Sequence, residues 1–410
     1  MHPTHAANAQ DIRLDRSALA ALLGCGLFST IGLFSPGLVL PQIERANATM
    51  PHAELLTQLI GAVASFAFAV GAPFAGALIA RLGCRRVVAP SLVLFALIGT
   101  TPALLDDLWG IVATRVLLGL CLAGIFTGGL AGIGALPDAQ RAKMFGWFAM
   151  VGGAAAIVMF PIVGALGRID WHLAFTVHLV ALAIVPLAWR LPATLGLAAS
   201  ASAAHAPEGR GGLMTPAMLG LLGLAGFAGM SMFLPPMYVP LYLVSLGITD
   251  PRLLAIPVTL SSIAAVFASA CYGYLHGRLG IYGLSAATTV VIGVALLIAG
   301  SVTSIPLFTA AIVVQGSLIA LIAPNVSATA IAISPPAQHS QAIGLANGVM
   351  FGAQLLFPFI ASAIRGYAGL VGVFFAFGGV SLAIGLGLFA YLRTRRARAR
   401  PATVPTSVPD

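Results

Sequence analysis

Apolar residues run along this chain in long blocks, and the polar residues collect in the short gaps between them. A helix needs about 20 apolar residues to cross the hydrocarbon of a bilayer. By that window the pattern predicts helices over 17–39, 54–80, 87–105, 109–134, 144–167 and 172–191. It predicts six more over 214–246, 252–275, 281–302, 305–332, 342–364 and 369–392. The period-2 alternation of a membrane β-barrel is absent, so helices must satisfy the backbone within lipid. The expectation is an all-α polytopic membrane protein with twelve transmembrane helices in two pseudo-symmetric six-helix bundles, 1–191 and 214–392. Between them, 192–213 is rich in Ala, Ser and Gly and reads as a flexible cytoplasmic linker, too short for a catalytic domain.

Composition agrees with lipid as part of the solvent. The chain is 59% hydrophobic and 8% charged, with a mean hydropathy of +1.02. No cleavable apolar signal follows the polar first sixteen residues. Cys25, Cys84, Cys121 and Cys271 lack metal-ligand spacing and read as small packing residues, so neither disulfide, metal nor cofactor is expected.

The net charge of +9 is a matter of topology rather than of nucleic-acid binding. Fifteen basic residues fall on one side of a twelve-helix reading: Arg13, Arg16, Arg81, Arg85, Arg86, Arg141, Lys143, Arg190, Arg210, Arg278 and five in the tail 393–410. Four, Arg45, Arg168, Arg252 and Arg365, fall on the other, and Arg115 lies inside a helix. The positive-inside rule then puts both termini in the cytoplasm. The basic tail reads as a topological anchor that can touch anionic lipid.

A short segment occurs twice. Gly76-Ala-Leu-Ile-Ala-Arg81-Leu-Gly83 is matched by Gly273-Tyr-Leu-His-Gly-Arg278-Leu-Gly280, and the same offset carries Phe160-Pro161 onto Phe357-Pro358. Two unrelated landmarks at one offset indicate a duplicated half, as in secondary transporters.

These residues resemble the major facilitator superfamily over nearly the whole chain. The loop with Gly76, Arg81, Gly83, Arg85 and Arg86 is similar to that family's signature between helices 2 and 3, with an echo at Gly273, Arg278 and Gly280. Ala80 stands where the family usually has an aspartate that helps to lock the cytoplasmic side, so that lock is missing or uses another group. Arg115-Val-Leu-Leu-Gly119 resembles the family's Arg-x-x-x-Gly motif, and Trp171-His-Leu-Ala-Phe175 its aromatic-rich loop. Pro161-Ile-Val-Gly164 resembles the tail of an antiporter motif, with Phe160 in place of the usual glycine. The layout looks most like small twelve-helix bacterial drug or sugar efflux members. The resemblance implies a multi-pass protein of a bacterial-type inner membrane that can work as a monomer, is not an enzyme, and moves a small organic solute by alternating access.

Several side chains are candidates for the work. Arg115 is set against an insertion cost of about 2.5–3.5 kcal/mol at a helix centre. It either attracts an anionic solute or biases proton exchange, or it is a hydrogen-bonding hub that ties helices together. No Asp or Glu falls within the predicted helix interiors, so Glu54, Asp107 and His178 are the candidates for proton coupling. Ser29, Thr30, Gln58, Tyr238, Tyr242, Gln315, Asn347 and Gln354 join Arg115 as candidates to line a central cavity. Such a cavity suits a small, partly apolar solute, neutral or anionic, although each polar group can equally be interhelical glue. The glycine rows Gly124-Gly128-Gly132 and Gly344-Gly348-Gly352 read as packing stripes, and Pro235, Pro236 and Pro240 predict a break in helix 7.

Two functions within transport remain open: proton-coupled efflux, and a proton-independent exchanger or facilitator of an organic anion that uses Arg115. A membrane receptor without transport is a remoter reading, because no output domain accompanies the helices.

Overall fold

The computed structural model describes residues 15–136, 138–197, 214–335 and 339–398. Among them, eleven stretches are long and apolar enough to cross a membrane. The first six are α1 (Arg16–Leu38), α2 (Ala53–Leu82), α3 (Cys84–Leu104), α4 (Leu108–Gly134), α5 (Asp138–Ile169) and α6 (Trp171–Ala188). Then come α7 (Pro216–Ser245), α8 over 251–279, α9 over 281–301 and α10 (Ile305–Ile333). The last stretch, Ala342–Thr394, is broken by Gly369 at φ 68°, which divides it into α11 (342–368) and α12 (370–394) and makes twelve helices.

Side chains at the helix starts explain where several of these begin. Asp15 accepts the N–H of Ala18 at 2.7 Å, Asp107 that of Gly110 at 2.7 Å and Asp250 that of Arg252 at 2.9 Å. Thr215 does the same for Met218 at 3.2 Å, followed by Pro216 in the first turn. These groups satisfy N–H donors that a helix leaves free. The prolines of α7 do break it: Leu234–Tyr238 is a π-helical turn.

The duplicated loop is a duplicated turn. Gly83 (φ 82°, ψ 161°) ends α2, and Gly280 (φ 67°, ψ 173°) ends α8, each in a conformation that side-chain-bearing residues rarely adopt. The two copies differ in their surroundings. The Cys84 N–H donates to Leu195 O at 2.7 Å, so residues 192–197, the start of the expected linker, are stitched onto the first turn. A side chain at Gly280 would meet open space. Residues 198–213, the rest of that linker, lie outside the described residues.

Packing follows the same duplication. In one half α2 and α3 lie along α4, and α3 meets α6; in the other α8 and α9 lie along α10, and α9 meets α12. Between the halves α5 packs on α8, and its symmetry counterpart α11 packs on α2. The first glycine stripe is close-packed, since a Cβ at Gly124 would sit 2.4 Å from Ser91 Oγ and one at Gly128 2.2 Å from a Val88 methyl. The second is not: Gly344 and Gly348 face open space in this conformation.

Candidate functional site

The helix directions give the bundle two ends. One carries the Gly83 and Gly280 turns and is called here the basic end; the other, the far end, carries the loops after α1, α5, α7 and α11. At the far end the halves touch. A Cβ on Gly37 of α1 would overlap Pro236 O of α7, and one on Gly61 of α2 would lie 2.3 Å from Met237 Sδ. A Cβ on Gly164 of α5 would lie 2.8 Å from Pro251 O of α8. Phe34 and Phe233 meet edge to face across the same seam, 5.4 Å between centroids.

Beneath this closure lies a cavity of about 730 Å³. Thr30 and Phe34 of α1, Phe160 of α5 and Met232, Pro235 and Pro236 of α7 form its inner part. From there it follows α5, α8 and α10 to Gly146, Ser269 and Tyr272, toward the basic end. Both halves contribute, and among the described residues no Asp, Glu, Lys, Arg or His lies in the lining. Its polar groups are hydroxyls. Thr30 Oγ1 donates to Gly152 O at 2.7 Å, Ser262 Oγ to Val258 O at 2.9 Å and Ser269 Oγ to Ala265 O at 2.8 Å, leaving oxygen lone pairs toward the cavity.

Of the nine residues expected to line a central cavity, Thr30 is the one found in this lining. Ser29 bonds within α1 to Gly26 O at 2.9 Å, and Asn347 bonds to Ile343 O at 3.0 Å within α11 and to Ser327 Oγ of α10 at 3.3 Å. Gln315 sits behind the wall, its amide donating to Ser231 O at 3.1 Å. Gln354 reaches only Met232 Sδ, at 4.0 Å. Gln58 is buried in the seam, and neither of its amide atoms has a protein partner. Tyr238 and Tyr242 do share a neighbourhood, each with its ring against Phe374, in an aromatic cluster completed by Phe308 and Phe357. The sequence pattern missed Phe34, Met150, Met232, Ser261, Ser262 and Tyr272, because apolar and small hydroxyl residues on an apolar helix carry no sign of which way they face.

Arg115 is fully buried, and it faces away from the cavity into the packing of α3, α4 and α6. Nη2 donates to Gly99 O at 3.3 Å, and the guanidinium carbon lies 5.0 Å from the Phe175 ring centroid. Nη1 is 3.5 Å from His178 Nε2. The His178 Nδ1–H is directed at Phe175 O, 2.7 Å away, which leaves Nε2 as an acceptor for the arginine. His178 and Arg115, two separate candidates in the sequence, are therefore one polar centre. Asp107 is exposed, and one of its carboxylate oxygens is engaged by the α4 cap.

Glu54 belongs to a different cluster, at the far end. Arg365 of α11 sends Nη1 to within 3.1 Å of Glu54 Oε1, and both Nη1 and Nη2 donate to Glu44 Oε1 at 3.3 Å. Glu44 lies in the short helix Leu40–Ala46 after α1 and Glu54 in the first turn of α2, so one arginine of the second half holds two carboxylates of the first. Burial pushes the Glu44 carboxyl above its ordinary value, and neighbouring Glu54 adds to this, while Arg365 pulls the other way. At the basic end Arg85 stacks on Trp189 and Arg278 on Tyr274. Among the described residues no ion pair joins Arg81, Arg85, Arg86 or Arg278 to a carboxylate, in keeping with Ala80 in the place of the aspartate.

Comparison with known proteins agrees with this architecture. A family profile described as Major Facilitator Superfamily matches residues 22–303 and 254–408. A crystal structure of a D-xylose-proton symporter superposes with a TM-score of 0.75 at 16% identity, covering 91% of this chain and 96% of that one. A POT family transporter in complex with a thioalcohol-conjugated peptide gives 0.73 at 14%, covering 92% and 96%. A nucleoside transporter gives 0.70 at 15%, covering 91% and 98%. At such identities these likenesses speak for the fold alone. The search of curated protein sequences gave no match. Twelve helices in two related bundles, a cavity walled by both, and a family profile over most of the length lead to one conclusion: the chain belongs to the major facilitator superfamily and is a multi-pass secondary transporter of small solutes, not an enzyme.

Proposed function

We propose that this transporter carries a small, uncharged and largely apolar organic solute, in proton-coupled efflux, with its basic end toward the cytoplasm. The observation that carries the substrate class is the cavity lining: aromatic, aliphatic and methionine side chains with a few hydroxyls and, among the described residues, no ionised group. A charged solute would lose its hydration there without a counter-ion, which is expensive. An uncharged one with a hydroxyl, amide or amine N–H would find lone pairs on Thr30, Ser262 and Ser269. Orientation rests on the excess of basic residues at one end. The direction of transport rests on the resemblance to efflux members. The enclosure of Arg115 by Gly99, Phe175 and His178 favours a structural role over capture of an organic anion.

Thermal stabilisation of the purified protein by a panel of neutral aromatics, sugars, organic anions and organic cations tests this reading. A ligand at 100 times its Kd stabilises by about 2.7 kcal/mol. The expected result is stabilisation by neutral aromatics that persists in Arg115→Gln and is lost when the cavity is filled by Ala265→Trp. Stabilisation by anions alone, lost in Arg115→Gln, would overturn it in favour of an anion exchanger.

A further inference from the structure

We infer that Glu44 and Glu54, clamped by Arg365, form a proton-binding site shared by the two halves, and that a proton taken up there holds the far end closed. The inference rests on the proton-coupled reading above and assigns the coupling group within it.

The geometry supplies the argument. Two carboxylates and one guanidinium leave an excess negative charge in a cluster whose side chains are only 21%, 27% and 34% exposed. One added proton makes these three side chains neutral, with Arg45 outside them on the exposed side of the short helix. Two buried carboxylate oxygens of the cluster, Glu44 Oε2 and Glu54 Oε1, make no hydrogen bond, and Glu54 Oε1 already faces Arg365 Nη1 at 3.1 Å, so the place left for the proton is on Glu44. Its Oε1 accepts both N–H bonds of Arg365, whereas Oε2 is buried and has no protein partner. Protonation of Oε2 forms an O–H donor and leaves the arginine contacts of Oε1 in place.

A second observation points to the same spot. Tyr238 is fully buried, its hydroxyl has no protein partner, and it lies in the part of α7 that packs against the short helix of Glu44 and the residues just before it. A buried hydroxyl that can both give and take a hydrogen bond is the neighbour a transferable proton requires. The other titratable groups near the cluster are Arg45, on the short helix of Glu44 and opposing proton uptake there, His52, beside the start of α2, Tyr242 on α7 and the exposed Tyr367, two residues beyond Arg365 on α11.

The site also has a route inward. Glu54, Gln58 and Ser65 repeat along one face of α2, the face on which Gly61 meets Met237 of the other half. Gln58, Ser65 and Ser231 all have buried polar atoms without a protein partner, and Ser231 is followed by Met232 in the cavity wall. Unsatisfied buried groups in a polar setting bind water, so these groups supply stations for water between the carboxylates and the cavity wall.

The sign follows from burial. When the far end separates, both carboxylates regain water, and Glu44 returns toward its ordinary proton affinity. The closed form therefore binds the proton more tightly, and proton binding favours closure. Closure is fully supported at pH below the ordinary glutamate range and is lost as pH rises through the raised value.

Spin labels at Ala48→Cys and Tyr367→Cys, both exposed at the far end and in opposite halves, with Cys271→Ser removing the exposed native thiol, report this as a distance distribution. In proteoliposomes the ratio of short to long distances should fall with rising pH, by at most tenfold per pH unit for a single proton. In E44Q, which mimics the protonated state, short distances should persist at all pH, and E54Q should flatten the response. Each variant is scored only if its melting temperature shows it folded. A wild-type ratio that does not change with pH, or E44Q and E54Q proteins that titrate like wild type, overturns the inference. Flux of the neutral dye Nile red under an imposed pH gradient is measured in parallel. If flux ignores the gradient, the proton-coupled reading fails, while the distances still judge the latch separately.

Discussion

Two arginines stand out in this molecule, and they have opposite surroundings. Arg115 is completely enclosed and has no carboxylate near it; a carbonyl, an imidazole nitrogen and an aromatic face hold it, all from the same half. Arg365 is partly exposed and holds two carboxylates of the opposite half. The first arrangement has one geometry and joins helices that move together. The second spans the seam between the halves, so on the inference above it is made in one conformation and broken in another. On the reading proposed above, depth of burial marks the arginine that the bundle depends on, and partners in the opposite half mark the one that conformational change depends on.

The largest effect should come from removing the enclosed arginine. Arg115→Gln leaves His178 Nε2 and Gly99 O without their donor and opens a void, which together should lower stability by about 2–4 kcal/mol. Thermal unfolding in detergent checks this. Distances across the far end and ligand stabilisation in the surviving fraction should match wild type. If Arg115→Gln shifted those distances instead, the division of roles between the two arginines would collapse.

A smaller loss is expected from Gly99→Ala, which leaves the arginine in place and disturbs its shell. The new Cβ would sit 2.5 Å from the His178 ring, so the imidazole must shift and the Arg115 contact must lengthen. Overpacking of this kind costs about 1–3 kcal/mol. A double variant with Arg115→Gln should fall short of additive, since both act on one contact.

Much of the fold was legible because hydropathy reports span length directly. The predicted 54–80 is realised as Ala53–Leu82, and the repeated glycine motif located two positive-φ turns at Gly83 and Gly280. The candidate site was less legible. α4 is apolar on nearly every side, so nothing in its sequence shows that Arg115 points at α3 and α6 rather than at the cavity. Glu44 carries no sign of its role in the sequence, because its partner is 321 residues away and on a different half. Pattern along a helix gives its length and start; the contacts across the seam come from how two halves meet.

Arg365→Leu should reverse the order of effects seen at Arg115. Its pairs are partly exposed, so global stability should fall by no more than about 1 kcal/mol. The far-end distances, in contrast, should lengthen at neutral pH, because two carboxylates then repel without the cation between them. Equal losses of stability for Arg365→Leu and Arg115→Gln would mean that both arginines are structural.

The smallest effect separates the pH response of the latch from that of the scaffold. Asp170 ends the loop before α6, the helix that carries Phe175 and His178 to Arg115. The N–H of His172 donates to its carboxylate at 2.9 Å and holds its pKa below the ordinary aspartate value. This contribution is present above the ordinary value and is lost as pH falls through the lowered one, the opposite sense to Glu44. With its side chain half exposed, the cap should be worth less than about 1 kcal/mol. Asp170→Asn should therefore lessen the acid-induced drop in melting temperature slightly and leave the pH dependence of the far-end distances unchanged. Were those distances to follow Asp170 rather than Glu44, closure would be answering to the fold of one half instead of to the seam between two.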